Sequence, residues 1–478
     1  MQENNIKFGT EGWRGIISKD FTFENVAKVS QSISDYLRST QKPSNSQSGQ
    51  KIAIGYDNRF LSEKFANCCA QVFLQNGYEV IISDSSVTTP NLCFITKSKE
   101  AQIGIMITAS HNPAIFNGLK AKAQYGGPVP EWLNKEIEKN IPQRFVESKI
   151  DNEGLAPVEF KDDYIKYIKM SVDFSKIGKI KQNIVFDCMH GPAYRYIDGL
   201  FGKDNKKIIK LRDTRDVLFG GFNPEPIEKY MSLTKSEVKK HKAAAGIVTD
   251  GDGDRVGVVA DGGIYLPPHT VFPLLLYYQA KYKNQKPKVA QTISLGYLSE
   301  RIAKKYSLEF EETPVGFKYI TEKILKEGNI FGGEESCGYA LPGELPDRDG
   351  ILSGLTVLEM IGSSGKKLSE LVKEMQKEFG KSSFMRYDFR LPEIIFDKSC
   401  FVNIIKGFIS EKINGKTLKS VKTFDGIKIV LEDDSWLLMR PSGTEPLLRV
   451  YSETPSQKTT QQLIDYGKKI TMNYFKNK

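Results

Sequence analysis

The chain has 478 residues, 40% of them hydrophobic and 26% charged, with a formal net charge of +10. That length predicts three or four domains, or two large ones, with ample residues for buried cores. The basic excess suits polyanions, acidic membranes or small phosphorylated ligands, but no basic block reaches nucleic-acid-tail length: the densest clusters are pairs such as Lys239-Lys240 and Lys304-Lys305. Aromatic residues are not interleaved with Lys and Arg as in a single-strand binder, so nucleic acid is not expected as a partner. The six cysteines (Cys68, Cys69, Cys93, Cys188, Cys337, Cys400) include no C-x-x-C pair, which excludes a zinc knuckle or thioredoxin motif and argues against a disulfide scaffold. Met1 to Lys7 is polar and lacks a signal-peptide core, and no apolar run approaches membrane-spanning length. The expectation is a cytoplasmic protein with no membrane partner.

In chain order, Phe8-Gly9-Thr10-Glu11-Gly12-Trp13-Arg14-Gly15 comes first. Its glycines mark a loop whose backbone comes close to something, and Arg14 is a candidate anion contact because its planar fork matches phosphate oxygens. Phe21 to Thr40 reads as an amphipathic helix and residues 41–50 as a surface loop. Lys51 to Tyr56 is a strand ending in Asp57-Asn58-Arg59, Ser62 to Asn76 a helix stopped by Gly77, and Tyr78 to Ser83 a strand. Ile103 to Ile107 is a buried strand followed by Thr108-Ala109-Ser110-His111-Asn112-Pro113 and a Gly/Lys segment, Asn117 to Lys120. Ligands of open α/β folds sit at the carboxyl ends of strands, and Ser110 stands there as a candidate phosphoryl carrier.

The strand, turn, helix, strand pattern recurs at Gln182 to Leu211 and at Lys288 to Glu312. After about Lys381 strand-like segments (Met385 to Arg390, Gly426 to Leu431, Ser435 to Met439, Leu447 to Ser452) surround helices at Lys398 to Ile413 and Ser456 to Phe475. The reading is three similar α/β domains with mixed, mostly parallel sheets plus a C-terminal α+β domain on an antiparallel sheet. The expected boundaries are 1–168, 169–262, 263–381 and 382–478.

Asp250-Gly251-Asp252-Gly253-Asp254-Arg255 follows the apolar run Ala243 to Val248. Three carboxylates separated by glycines can converge on one hard cation. An EF-hand fails because Arg255 occupies the glycine position and both flanks read as strands. A haloacid-dehalogenase phosphatase wants Thr or Val where Asp254 stands. A solvated acidic turn would crowd three like charges without relief. Three carboxylates leave a Mg²⁺ ion with open positions, one of which suits a phosphate on Ser110.

Gly332-Gly333-Glu334-Glu335-Ser336-Cys337-Gly338 offers a carboxylate and a hydroxyl that suit vicinal sugar hydroxyls, or else is a loop with exposed acids. Gly316 and Lys318, in Thr313 to Lys318, could add backbone and Lys contacts. Arg440-Pro441-Ser442-Gly443-Thr444-Glu445-Pro446, with Arg449 close behind, reads as an anion nest built of an Arg, hydroxyls and a glycine turn. His190, before Gly191-Pro192, reads as a turn or packing residue, and Trp436 as core.

Together Thr-Ala-Ser-His-Asn-Pro, Asp-Gly-Asp-Gly-Asp-Arg, Gly-Glu-Glu-Ser and Arg-Pro-Ser-Gly-Thr-Glu-Pro, one per quarter of the chain, resemble the α-D-phosphohexomutase superfamily of phosphoglucomutases and phosphomannomutases. The resemblance spans Phe8 to Glu453. It implies four domains around a central active-site cleft and an isomerase that moves phosphate between O1 and O6 of a hexose. Ser110 would be the phosphoserine, with Asp250, Asp252 and Asp254 holding Mg²⁺ together with its phosphate. Glu334 and Ser336 would contact sugar hydroxyls. Arg440, Ser442, Gly443, Thr444 and Arg449 would hold the distal phosphate, and Arg14, His111, Lys120 and Arg255 would surround the transferred group. A hexose 1,6-bisphosphate is the implied intermediate and activator. Sugar phosphates are the implied small-molecule partners, bound by a monomer or homodimer.

The chain departs from that pattern in two places. Where some relatives place a His after the Gly-Glu-x-Ser loop, Gly338 and Tyr339 stand; where others place a Lys before a later Asp-Gly, Arg348 stands. An arginine stays protonated, so Arg348 is expected to act electrostatically, leaving proton transfer to Lys120 or His111. Trp13 stands where phosphoglucosamine mutases typically carry Ile, which by family analogy leans toward glucose or mannose phosphates. Phosphoglucosamine mutase and phosphopentomutase remain alternatives. A sugar phosphatase and a non-catalytic phosphosugar binder are the readings from other classes.

Overall fold

A computed structural model describes residues 6–9, 11–40, 50–144, 146–147, 149–151, 153–343, 345–395, 397–442 and 445–476. By packing, the chain divides into two compact units. Met1–Pro267, Ile320–Gly332 and Ser336–Leu368 form the first; Pro268–Tyr319, Gly333–Glu335 and Ser369–Lys478 form the second.

The first unit holds two mixed sheets. In the larger, the strands run in the order Phe8–Gly9, Gly12–Ile16, Phe116–Ala123, Ile103–Ile107, Lys51–Tyr56, Glu79–Ile82. The last three are mutually parallel and the others antiparallel. Side chains alternate across a strand. Accordingly Ile52, Ile54, Ile103, Ile105 and Ile107 pack with Trp13, Phe21 and Phe65 on one face, while Ala53 and Met106 pack with Val87 and Leu92 on the other. Helix Phe23–Ser39 begins where the Thr22 hydroxyl accepts the Asn25 N–H at 3.2 Å, and buries Val26, Val29 and Ile33 along one stripe. Helix Ser62–Gln75 stops at Gly77, whose φ is +82°. Because Lys51–Tyr56 and Ile103–Ile107 are adjacent and parallel, their carboxyl ends bring Asp57-Asn58-Arg59 beside Thr108-Ala109-Ser110.

The second sheet runs Ile264–Leu266, Val256–Ala260, Ala245–Thr249, Ile184–Asp187, Ile208–Leu211. The aspartate segment is thus the hairpin loop between the antiparallel strands Ala245–Thr249 and Val256–Ala260. His190, at φ +60°, is a turn residue: its ring Nδ1 lies 3.0 Å from the Thr214 carbonyl and its own carbonyl accepts from Asn58 Nδ2 at 2.7 Å.

In the second unit, Lys288–Thr292 and Phe310–Thr313 pair in parallel, and Ser383–Arg390, Leu447–Thr454, Trp436–Pro441, Ile427–Leu431, Lys416–Lys422 and Lys412–Ile413 form one antiparallel sheet. Trp436 is core, 1% exposed, its Nε1–H donating to Glu453 Oε2 at 2.8 Å.

One expectation is corrected. The helix expected over Lys398 to Ile413 ends at Lys406, capped by Gly407. Lys412–Ile413 is instead a strand, paired Ile413 to Lys416 across Asn414-Gly415. Both loop residues have positive φ, +51° and +78°. This is the two-residue type I′ turn that Asn-Gly favours, and a stronger local signal than the apolar spacing around it. The Gly/Lys segment Asn117 to Lys120 lies inside strand Phe116–Ala123. Replacing Gly415 by Val forces a β-branched residue into the left-handed region, which costs roughly 1–3 kcal/mol. Gly415→Val is expected to lower the urea unfolding midpoint, and an unchanged midpoint would rule out this hairpin.

Candidate active site

The chain leaves strand Ile103–Ile107 and turns at Ser110, whose φ is +52°. A non-glycine residue held there stores strain on the order of 1–3 kcal/mol, so its surroundings must impose it. The Ser110 N–H donates to Thr108 Oγ1 at 2.9 Å, and the Thr108 hydroxyl donates to Asp57 Oδ2 at 2.6 Å. The Ser110 carbonyl accepts from Arg59 Nη2 at 2.5 Å. The Ser110 hydroxyl donates to Asp250 Oδ2 at 3.0 Å and lies 3.4 Å from His111 Nδ1. Arg14 joins the same loop, donating from Nη1 to Asn112 Oδ1 at 2.7 Å.

Asp250, Asp252 and Asp254 are at most 1% exposed, and each presents a carboxylate oxygen within 4.8 Å of the others. Gly251 is what brings this loop against the serine: a Cβ there would lie 2.5 Å from the Ser110 carbonyl oxygen. Gly253 turns the chain at φ +74°. Thr89 fixes Asp252, its hydroxyl donating to Oδ2 at 2.7 Å and its N–H to the Asp252 carbonyl at 2.8 Å. The Arg255 N–H donates to Asp250 Oδ1 at 3.1 Å.

Burying these charges demands counter-charges. Lys120 Nζ lies 2.7 Å from Asp252 Oδ2 and 3.4 Å from Asp254 Oδ2. Arg348 Nη2 lies 2.8 Å from Asp254 Oδ2 and 2.6 Å from Glu11 Oε2. Arg255 Nε lies 3.9 Å from Asp254 Oδ1. Burial alone would raise the carboxyl pKa of Asp254 and Glu11, but Arg348 and Lys120 overrule it and hold both well below the usual range. Asp250 is the exception: burial, then the charges of Asp252 and Asp254, push it well above its ordinary value. The local cations therefore do not fully relieve three crowded carboxylates. Asp252 Oδ1 and Asp254 Oδ1 are, moreover, buried oxygens that accept no hydrogen bond. Hard oxygen donors, unrelieved repulsion and orphaned acceptors fit a divalent cation.

Strand Phe116–Ala123 explains how two lysines become buried. Leu119 and Ala121 face the core, and alternation sends Lys120 and Lys122, each 1% exposed, to the other side. There Lys120 meets the aspartates, and Lys122 Nζ meets Asp347 Oδ2 at 2.6 Å. Asp347 in turn accepts the Arg348 N–H at 2.8 Å through Oδ1. Burial would strip Lys120 of its proton, but Asp252, Asp254 and Glu11 outweigh burial and raise its pKa. His111 moves the other way: the Arg255 charge, then burial, then Arg14 hold its imidazole far below its ordinary pKa. The two expected proton carriers are thus moved in opposite directions by their neighbours, Lys120 up and His111 down.

In the second unit Arg440 and Arg449 are directly opposed on neighbouring strands. Arg440 Nε lies 2.9 Å from Asp425 Oδ2, which also accepts the Val315 N–H at 2.7 Å. Asp425 thus ties the turn carrying Gly316 and Lys318 to the arginine pair. Glu334 is 5% exposed and Ser442 likewise. The neighbouring Glu335 accepts from Thr292 Oγ1 at 3.0 Å and Ser294 Oγ at 2.5 Å, which anchors that loop. Glu334 belongs to the second unit and Ser336 to the first. Gly443 and Thr444 lie outside the described residues.

Sequence reasoning brought Ser110, the aspartates, Lys120, Arg255 and Arg348 to one place. It missed Asp57, Arg59, Glu11 and Asp347 as parts of this machinery, and Asp425 as the partner of Arg440 within the second unit. An Asp-x-Arg at the carboxyl end of a parallel strand was the available signal for the first two. The others pair with cations distant in sequence and leave no local mark.

Four family models match the chain in order. Phosphoglucomutase/phosphomannomutase α/β/α domain I covers residues 5–146, domain II 162–263, domain III 267–379 and the C-terminal domain 405–466. A probable phosphoglucosamine mutase of Pyrococcus abyssi is 28% identical over 471 residues, 98% of each chain. A phosphoglucomutase/phosphomannomutase of Thermococcus kodakarensis is 28% identical over 473 residues, 97% of this chain and 98% of its own. The crystal structure of a candidate phosphomannomutase from Thermus thermophilus superimposes with a TM-score of 0.84 at 30% identity, covering 98% of this chain and 99% of that one. The chain belongs to the phosphoglucomutase/phosphomannomutase family of the α-D-phosphohexomutase superfamily, whose members are intramolecular phosphotransferases.

Proposed function

We propose that the protein interconverts a hexose 1-phosphate and the corresponding hexose 6-phosphate through a phosphoserine at Ser110 and a hexose 1,6-bisphosphate. The observation that carries this reading is the Ser110 hydroxyl, 3.0 Å from one of three buried aspartates that Lys120, Arg255 and Arg348 flank. A serine so placed needs its new negative charge received, and Lys120, Arg255 and Arg14 supply fixed positive charge without solvent reorganisation. Arg348 stays protonated and balances Asp254 and Glu11. Lys120 Nζ holds a proton, which suits a donor to a departing alkoxide oxygen. The aspartates Asp250, Asp252 and Asp254 would hold Mg²⁺, which supplies Lewis-acid polarisation of a phosphoryl oxygen. Arg440, Arg449 and Ser442 would hold the non-reacting phosphate, with Glu334, Ser336, Gly316 and Lys318 on the sugar.

For the sugar, glucosamine phosphate comes ahead of glucose and mannose phosphates. The names of relatives from Pyrococcus abyssi and Methanosphaera stadtmanae support it, as does that of a phosphoglucosamine/phosphogalactosamine mutase of Sulfurisphaera tokodaii. The lean toward glucose and mannose rests on Trp13. That residue is 1% exposed and its ring lies 4.6 Å from that of Phe21, within the core, so its identity reads no sugar.

A coupled assay across glucosamine-, glucose-, mannose- and ribose-1-phosphate, with Mg²⁺ and the matching bisphosphate, tests both levels. Isomerisation is expected, fastest with the amino sugar. Net release of inorganic phosphate would make the protein a phosphatase, and binding without turnover would make it a binder. Ser110→Ala is expected to lose at least about 10³-fold in kcat, because it removes the hydroxyl that carries the phosphoryl group; full activity in that variant would sink the phosphoserine reading. Lys120→Met should cost roughly 10²–10⁴-fold if Lys120 moves the proton, and near-normal turnover would exclude it. Mg²⁺ at about 100 times its Kd should stabilise the protein by about 2.7 kcal/mol, seen as a raised Tm that chelator reverses. Asp252→Asn should abolish that shift, and an equal shift in the variant would disqualify the triad as the metal site.

A further inference from the structure

Arg59 is fully buried at 0% exposure, yet it is none of the residues assigned above to phosphoryl group, metal or sugar. Its guanidinium is spent on backbone. Nη1 donates to the Pro113 carbonyl at 2.9 Å and the Phe116 carbonyl at 3.0 Å, and Nη2 to the Ser110 carbonyl at 2.5 Å and the Asn112 carbonyl at 2.7 Å. Its Nε lies 3.2 Å from Asp57 Oδ2, and the Phe219 ring covers the guanidinium at 4.9 Å. Asp57 is equally committed. It accepts from the Thr108 hydroxyl at 2.6 Å, the Ser62 hydroxyl at 2.8 Å and the Arg59 N–H at 2.9 Å. Thr108 passes this on to the Ser110 N–H.

Residue 110 is therefore gripped at both ends, its N–H through Thr108 and Asp57, its carbonyl through Arg59. Desolvating a guanidinium costs several kcal/mol, and a surface turn would do without it. What the arrangement secures is a serine at φ +52° with its hydroxyl on Asp250, a conformation a free loop would leave. The flat five-donor fork is the reason for arginine: a lysine ammonium has three donors on a point charge and cannot span four carbonyls.

We propose that Arg59 is a positioning residue that, with Asp57 and Thr108, clamps the 108–116 loop so that Ser110 Oγ stays aimed at the aspartate triad, and that it governs the rate of phosphoryl transfer rather than sugar binding. This rests on Ser110 being the phosphoryl carrier. A displacement of about 1 Å at a reacting centre lowers rate on the order of 10²-fold, while the sugar and distal-phosphate contacts are untouched.

The test uses the full chain with two variants. Arg59→Lys keeps a positive charge beside Asp57 but loses the fork. Thr108→Val keeps the shape but loses the grip on the Ser110 N–H. Each is compared with wild type for kcat and KM per folded molecule, for Tm, for phosphoryl uptake from the bisphosphate by intact mass, and for the ³¹P resonance of the phosphoserine. The expected result for Arg59→Lys is a kcat lower by roughly 10–100-fold with KM changed by less than about two-fold. Thr108→Val should show a smaller effect in the same direction, and the ³¹P line, single in wild type, should broaden or double in both. A merely structural arginine would lower Tm and yield while leaving kcat per folded molecule and the ³¹P line unchanged. That result, or a raised KM with kcat kept, would overturn the proposal. Should Arg59→Lys not fold, Thr108→Val decides by the same criteria. A wild-type protein that takes up no phosphoryl group on Ser110 would overturn the phosphoserine reading itself, and this role with it.

Discussion

Three aspartates buried together are the constraint on which the rest of the first unit depends. Each carboxylate taken out of water costs several kcal/mol, and their mutual repulsion adds to it. The chain answers from three other segments, Lys120 from a strand, Arg348 from a distant loop and Thr89 from a helix N-terminus, and from the adjoining Arg255. Behind these stand Lys122, Asp347 and Glu11, which balance and position the cations. Apolar residues of equal volume would stabilise a fold at least as well, so a network this large points to chemistry rather than to stability. Asp250 is pushed above its ordinary value by burial and by the charges of Asp252 and Asp254.

The second constraint is steric. The serine loop and the aspartate loop touch through backbone, with Gly251 against the Ser110 carbonyl. Two loops that close can hold a hydroxyl and a carboxylate at hydrogen-bond distance only if neither drifts. The strained φ of Ser110 and the set of bonds from Asp57, Arg59 and Thr108 answer that need together. Phosphoryl transfer asks a protein for placement and charge more than for covalent work, and both demands are met by rigid elements at strand ends.

Much of this is legible in the residues. The strands Lys51–Tyr56 and Ile103–Ile107 are largely apolar runs, and the aspartates and glycines alternate in a pattern with few other uses. Gly77 marks a helix end as glycine does elsewhere. The burial of Lys120 and Lys122 in strand Phe116–Ala123 is hidden because their alternation with Leu119, Ala121 and Ala123 looks like a half-solvated surface strand. Helix Lys398–Lys406 reads too long because apolar residues continue past Gly407, although Asn414-Gly415 announces a hairpin. Trp13 carries weight only by analogy, and its burial against Phe21 removes it from the site.

The sequence by itself determined most of the secondary elements, the family motifs and the identity of the charged groups, because each is written in residues close together. Only the tertiary structure decided which charges meet. Lys120 and Asp252, or Arg348 and Glu11, are separated by long stretches of chain, and nothing local distinguishes a buried lysine from a solvated one. The same holds for the raised pKa of Lys120 and the lowered pKa of His111, which follow from neighbours brought in by folding. It holds most of all for Arg59, just past a strand end, whose hold on four carbonyls of another loop exists only once two parallel strands lie side by side.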